Sequence, residues 1–220
     1  MSRKRRNKNR SRARGPGNGR PFRLAVTSIE LARGYDGLLR GKPEPAFILA
    51  LFSGGGASAR LIARTIIEVP MHTVHGFPAT VVLPDRRVMS TSLSADGPLL
   101  LLGLAVEVDS RELLQHLYAR VEQPDRFHVW RTNDQTPAPL ELAEMARGGA
   151  PSIPTAERLN LMWDDKNLET VGDAFGDDYI GASAIVLRSP LGGRHAYRMH
   201  FSSADERNDW TMTLTIGGRW

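Results

Sequence analysis

The chain has no cysteine among its 220 residues. That excludes a disulfide framework, thiolate metal sites and thiol nucleophiles, and it fits a reducing compartment. Long apolar runs are missing too. The longest, "PLLLLGLAVEV" at 98–108, is far short of the roughly 20 residues a membrane-spanning helix needs. The first 20 residues hold no apolar stretch, and the "FRLAVTSIELA" that follows is interrupted by Arg23, Ser28 and Glu30, so no secretory leader is expected. These absences together predict a soluble, cytoplasmic protein, with peripheral attachment to a membrane left open.

Acidic residues are absent from the first 23 positions, which hold ten Lys or Arg. The whole chain carries 29 basic and 24 acidic residues, a net charge of +5, so the other 197 positions hold 19 basic and 24 acidic residues, a net of −5. The basic character belongs to the N-terminus and the body is mildly acidic. Residues 1–21, "MSRKRRNKNRSRARGPGNGRP", have almost no apolar side chain to offset ordering entropy and are expected to be a disordered basic tail. The domain is expected over residues 22–220.

Within that body the pattern is one of strands. "FRLAVTSIEL" roughly alternates, "AFILALF" (46–52) is a continuous apolar run of strand length, and "RLIARTIIEV" (60–69) and "ATVVL" (79–83) follow. The clusters "SGGGAS", "HGFP" and "LPDRR" between them are expected turns. "ERLNLMW" (157–163) and "SAIVLR" (183–188) add two strands. The alternation is cleanest near the C-terminus, where Trp210, Met212, Leu214 and Ile216 share one face and Thr211, Thr213 and Thr215 the other. Tyr197, Met199 and Phe201 alternate in the same way, and "SSADERND" joins the two strands as a long hairpin loop. Trp163, Trp210 and Phe201 are in phase with their strands and are expected in the core.

Only "DSRELLQHLYARVEQ" predicts a helix, capped by Asp109 or Ser110, with Leu113, Leu114, Leu117 and Val121 on one face. One helix cannot supply the crossovers of a parallel sheet. The expected fold is therefore all-β, an antiparallel β-sandwich with a helix-bearing insertion near 98–156, of which 132–156 is a long loop. The "PLLLLGLAV" run is expected to be a buried strand, and the alternative is a surface for a protein partner.

Candidate chemistry concentrates in "WDDKNLETVGDAFGDDYIG" (163–181), where Asp164, Asp165, Glu169, Asp173, Asp177 and Asp178 accompany a single lysine. Hard oxygen donors in a connecting loop suit Ca²⁺, whereas Mg²⁺ demands stricter geometry. The stretch is not an EF-hand: counted from Asp165, Thr170 occupies the glycine position and Gly176 that of the bidentate glutamate. The same composition also fits a solvated loop that holds no ion.

Enzyme signatures are poor. "GGGASAR" lacks the Gly-Lys-Ser/Thr of a phosphate loop, and Arg60 follows "GASA" where a nucleophile elbow needs glycine. His72 and His75 have no glutamate between them and are expected in a surface turn, while His195 and His200 are expected as strand residues. A metal-dependent hydrolase using Asp177 or Asp178 is the enzymatic alternative; no catalytic residue is assigned.

"WDDKN" and "DDYIGASAIVL" (163–187), with "GYDGLLRGKPEPAFILALF" (34–52), resemble the two acidic loops and following strands of C2-type calcium- and phospholipid-binding domains. The resemblance implies an eight-stranded antiparallel sandwich with Asp36 and Glu44 from the first loop and Asp164, Asp165, Asp173 and Asp178 from the second around Ca²⁺. Glu44 stands where the family has aspartate, and residues 98–156 have no counterpart in its minimal fold.

The functional expectation is a non-enzymatic module that docks on anionic phospholipid, with Ca²⁺ in its acidic loops and the tail assisting. Arg3, Lys4, Arg5, Arg6, Lys8, Arg10, Arg12 and Arg14 would attract any polyanion through counterion release, each contributing about 1 kcal/mol near an anionic leaflet. With no aromatic residue in the tail, base stacking contributes nothing. The alternatives are a solvated arm and a structural or assembly protein whose arm binds nucleic acid and whose 98–156 region meets a protein partner.

Overall fold

The computed structural model describes residues 20–34, 44–53, 60–69, 74–93, 99–122, 127–131, 140–141, 157–163, 166–167, 178–187, 192–203 and 205–219. The tail, residues 1–19, lies outside them. The strands are β1 (Arg20–Arg33), β2 (Pro45–Ser53), β3 (Arg60–Glu68), β4 (Ala79–Leu93), β5 (Leu99–Glu107), β6 (Phe127–Arg131), β7 (Leu140–Glu141), β8 (Glu157–Trp163), β9 (Lys166–Asn167), β10 (Asp178–Leu187), β11 (Gly192–Ser202) and β12 (Asp209–Arg219). The single helix among the described residues, α1 (Glu112–Arg120), follows β5. The sheets are antiparallel: a four-stranded sheet A in the order β11-β12-β1-β4, and a larger sheet B in the order β3-β2-β5-β10-β8-β6-β7, with β9 paired to β8. The all-β sandwich expected from the alternation is what the chain forms, with twelve strands among the described residues where the C2 resemblance implied eight.

Sheet A behaves as a strand with one wet face should. Trp210, Met212, Leu214 and Ile216 of β12 are buried while the threonines between them are half-buried. In β1 the buried set runs Phe22, Leu24, Val26, then Ile29 and Leu31. The phase slips where the register with β12 and β4 breaks between Val26 and Ser28. A bulge inserts one extra residue at this point and carries the alternation past it.

Sheet B is built differently. Every residue of β5, and Pro45–Phe52 of β2, is buried. Phe47, Leu49, Leu51, Leu99 and Leu101 face sheet A, while Ile48, Phe52, Leu100, Leu102 and Leu104 point to the other side and meet Leu113, Leu114, Leu117 and Val121 of α1. A continuous apolar strand needs cover on both faces. Each fully buried leucine or phenylalanine contributes about 1.5–3 kcal/mol relative to exposure, so the helix is a required third layer.

Strand β3 holds that helix at both ends. Arg64 donates to the Tyr118 carbonyl and, at 3.4 Å, to that of Ala119, lies 4.1 Å from the Tyr118 ring centroid, and pairs with Glu122 at 2.5 Å. It thereby satisfies carbonyls that the helix itself leaves unpaired and places positive charge at the negative end of the helix dipole. Glu68 pairs with Arg111 at the other end, 3.0 Å away. Four strand intervals from Arg64 to Glu68 and the nine residues of α1 both span about 13 Å, which is why one strand reaches both termini.

The cap expected at Asp109 or Ser110 is displaced. Arg111 occupies the N-cap with φ 68° and makes no side-chain cap bond. Ser110 Oγ instead accepts the Glu112 N–H at 3.3 Å. The expected "LPDRR" turn also differs, since residues 83–87 continue β4. β4 is an edge strand, and the register break opposite Val26 and Ser28 brackets Pro84; an edge bulge is where a residue without an N–H is tolerated. Two-residue β7 falls inside the stretch expected as loop.

The sheets meet through aromatic and small residues together. Phe47 of sheet B packs against Phe201 and Trp210 of sheet A at centroid distances of 5.3 and 5.9 Å. Gly103 lies beneath Met199 and Phe201, where an added Cβ would come within 2.8 Å of Met199 Cε and 3.0 Å of Phe201 Cζ. Beside it, Ser183 Oγ donates to the His200 carbonyl at 2.7 Å. Gly103→Val is expected to destabilise the fold by about 1–3 kcal/mol through overpacking, read as a lower midpoint in denaturant unfolding; Gly103→Ala should cost less because the Met199 terminus can turn aside.

Candidate functional site

The strands that flank both acidic loops end at one pole of the sandwich. Pro45, Glu107 and Asp178 are register partners across β2, β5 and β10. β8 runs toward the same pole, since Leu159 pairs with Ala182 and Trp163 lies further along. β1 ends there as well: Arg33 pairs with Asp209, Asp209 with Ser202, and a Cβ at Gly181 would approach the Ser202 carbonyl within 3.2 Å. Glu44 and Asp178, drawn from loops far apart in sequence, therefore share one end.

Between them stands Glu107, which closes an otherwise apolar strand and is only 1% exposed. Its carboxylate accepts the Glu44 N–H at 3.2 Å, and the Glu44 carbonyl accepts the Val108 N–H at 3.1 Å. Glu44 is thus fixed through its backbone, leaving its exposed side chain for other contacts. An open cleft of about 290 Å³ lies alongside, with Pro45, Ala46, Val69 and Val108 as apolar walls and Glu44, Glu68 and Arg111 as its charged groups.

Asp36, Asp164, Asp165, Asp173 and Asp177 lie outside the described residues, as do Glu169, His72 and the tail from Arg3 to Arg14. Among the described residues no three histidine, aspartate or glutamate side chains group as metal ligands. Glu44 and Asp178 alone therefore do not make a Ca²⁺ site, whose usual six to eight oxygens would have to come largely from other groups.

The arrangement that the sequence reading missed is at the same pole. His200, expected only as a strand residue, places Nε2 2.6 Å from Asp209 Oδ1, and Arg33 donates to Asp209 Oδ2 at 3.1 Å. Burial alone would push the Asp209 carboxyl up, but the hydrogen bonds and charges of His200 and Arg33 outweigh it and hold its pKa below the ordinary value. Asp205, in the hairpin loop, is shifted down in the same way against its own partial burial, by Ser203, the Arg207 N–H and the Arg207 charge. A histidine and an aspartate nine residues apart signal a pair only once β11 and β12 are known to face each other in this register.

Ser183, fully buried, donates to the His200 backbone carbonyl rather than to its ring. A nucleophile has to reach both base and substrate, and Ser183 is not placed to do so. No protein-family model and no curated relative matches the chain.

The opposite end of sheet A is basic along four strand segments. β1 starts there at Arg20, directly after the tail. Register places residues 20–26, 87–93, 192–197 and 214–219 in that half of sheet A. None of these residues is acidic, and Arg20, Arg23, Arg87, Arg194 and Arg219 are among them. The fourteen residues of β1 separate the two poles by on the order of 40 Å.

A carboxylate whose pKa is lowered on folding contributes stability above its unfolded pKa of about 3.9 and loses it as pH falls through the lower folded value. Asp209→Asn is therefore expected to lower the melting temperature near neutral pH and to reduce its decline below about pH 4, checked by circular dichroism melts across the acid range.

Proposed function

We propose that the chain is a non-enzymatic binding module whose sandwich presents a basic arm to anionic phospholipid membranes. The observation that carries this reading is the charge along sheet A: the arm enters it beside segments 20–26, 87–93, 192–197 and 214–219, none of which is acidic, so these segments do not oppose the attraction of its positive charges for a negative surface. Ca²⁺ belongs to the opposite pole in this proposal, with Glu44 and Asp178 as ligands alongside Asp36, Asp164, Asp165, Asp173 and Asp177. The common end of Glu44 and Asp178 supports it. Because the poles lie on the order of 40 Å apart, lipid contact by the arm does not depend on the ion. Among the described residues no helix is long and apolar enough to cross a membrane, so the attachment proposed is peripheral.

Full-length protein is expected to sediment with mixed phosphatidylcholine and phosphatidylserine vesicles in chelator as well as in calcium, to release as salt is raised, and to lose sedimentation when residues 1–19 are removed. Binding that needs calcium and survives removal of the arm would reverse the roles of the two poles.

The calcium proposal has its own readout. A ligand that binds only the native state raises the melting temperature, so saturating Ca²⁺ should shift the melt upward in wild type and less in Asp178→Asn. An unchanged melt would make the acidic pole a plain solvated surface.

A further inference from the structure

We propose that β4 is a self-association edge, through which two copies of the chain pair antiparallel over residues 79–83 and join their A sheets into one. The proposal does not depend on lipid docking. Sheet A has two outer strands, β11 and β4. β11 is joined to β10 of sheet B, where the His200 carbonyl accepts Ser183 Oγ at 2.7 Å and a Cβ at Gly181 would lie 3.2 Å from the Ser202 carbonyl. Among the described residues β4 forms a ladder with β1 alone. A strand with a ladder on one side turns alternate N–H and C=O groups outward on the other, and that row is a template for a further strand.

The sequence of this edge is self-complementary. Residues 79–83, "ATVVL", are uncharged, and Pro78 and Pro84 bracket them at equal distance from Val81. Proline has no N–H to give to a ladder, so pairing is confined to the five residues between. A two-fold axis through Val81 sets Val81 against its counterpart, Thr80 against Val82 and Ala79 against Leu83. Both windows then end at the same place. Thr80 is exposed, and Val82, 68% exposed, is the one large hydrophobic side chain among the described residues with that degree of exposure. The match covers each Val82 with the other copy's Thr80, a β-branched cross-strand pair, and sets small Ala79 beside large Leu83. An isologous interface requires this kind of self-match, and it closes at a dimer because both β4 edges are used.

The outer strand of sheet B has no comparable window. β3 carries Arg60, Arg64 and Glu68, and Arg64 and Glu68 are engaged with the helix and its flanks. Charges along an edge strand guard it against pairing, and residues 79–83 carry none. Beyond Val82 the register of β4 with β1 breaks, and the bulge bends the edge away once the window has ended. Arg20 pairs with Leu93 at the far end of β4, so the dimer carries its two arms at opposite ends of the joined sheet.

Sedimentation equilibrium of the full chain over a concentration series is expected to show monomer and dimer in exchange. Thr80→Lys with Val82→Lys sets lysine against lysine on both sides of the axis. It should raise the dimer dissociation constant about tenfold or more and leave the melt unchanged, since both side chains are exposed. Thr80→Lys with Val82→Glu sets lysine against glutamate and should restore the dimer, which tests the register itself. A monomer at every concentration would overturn the proposal, and its binding of an added peptide of sequence ATVVL would assign the edge to a different extended chain. A dimer that the double lysine variant leaves intact, or one that the lysine and glutamate variant fails to recover, would overturn it as well.

Discussion

The architecture depends on the burial of β2 and β5 from both sides. Their residues leave no polar face to turn toward water, so sheet B can exist only as the middle of three layers. Sheet A closes one side through Phe47, Phe201 and Trp210, and α1 closes the other through its leucines. Arg64 and Glu68 follow from that requirement, because a nine-residue helix is too short to be stable alone. Packing secures its apolar face, and β3 completes its ends with charges of the sign its dipole favours.

The same layering governs the charge distribution. Antiparallel strands return every connection to one of two poles. The β1–β2 and β8–β10 connections leave and re-enter at the pole of Glu44, Glu107 and Asp178, while the N-terminal arm joins at the other. A linear charge count cannot separate these places, since the arm and Glu44 lie only some two dozen residues apart in the chain. Strand length does separate them: the fourteen residues of β1 stand between the start of the sheet and the row of Pro45, Glu107 and Asp178.

Legibility from sequence followed the physics of each element. Where one face is wet, as in β12, alternation alone identifies strand, face and core: Trp210, Met212, Leu214 and Ile216 are buried as the period requires. The apolar run of β5 is legible as buried, but it does not say what covers it, because periodicity vanishes when both faces are dry. Pro84 looks like a turn residue, and only the edge position of β4 makes it compatible with a strand. Arg111 has no local signal for a left-handed N-cap; its conformation follows from how the chain must leave β5 for the outer face of sheet B. Of the acidic set, sequence proximity groups Asp164 through Asp178, whereas Glu44 and the buried Glu107 join Asp178 only through the register of three strands.

By itself the sequence determined the strand-rich class, the apolar faces of the alternating strands, the helix after β5 and the concentration of positive charge in the N-terminal segment. These are consequences of side-chain period and composition, which act within a few residues. Tertiary structure alone decided which strands are neighbours, that α1 lies across sheet B, that His200 meets Asp209, and that the arm and Asp178 stand at opposite poles. Each of these depends on pairing between segments up to nearly two hundred residues apart, as β1 with β12, and no local pattern encodes a partner at that range.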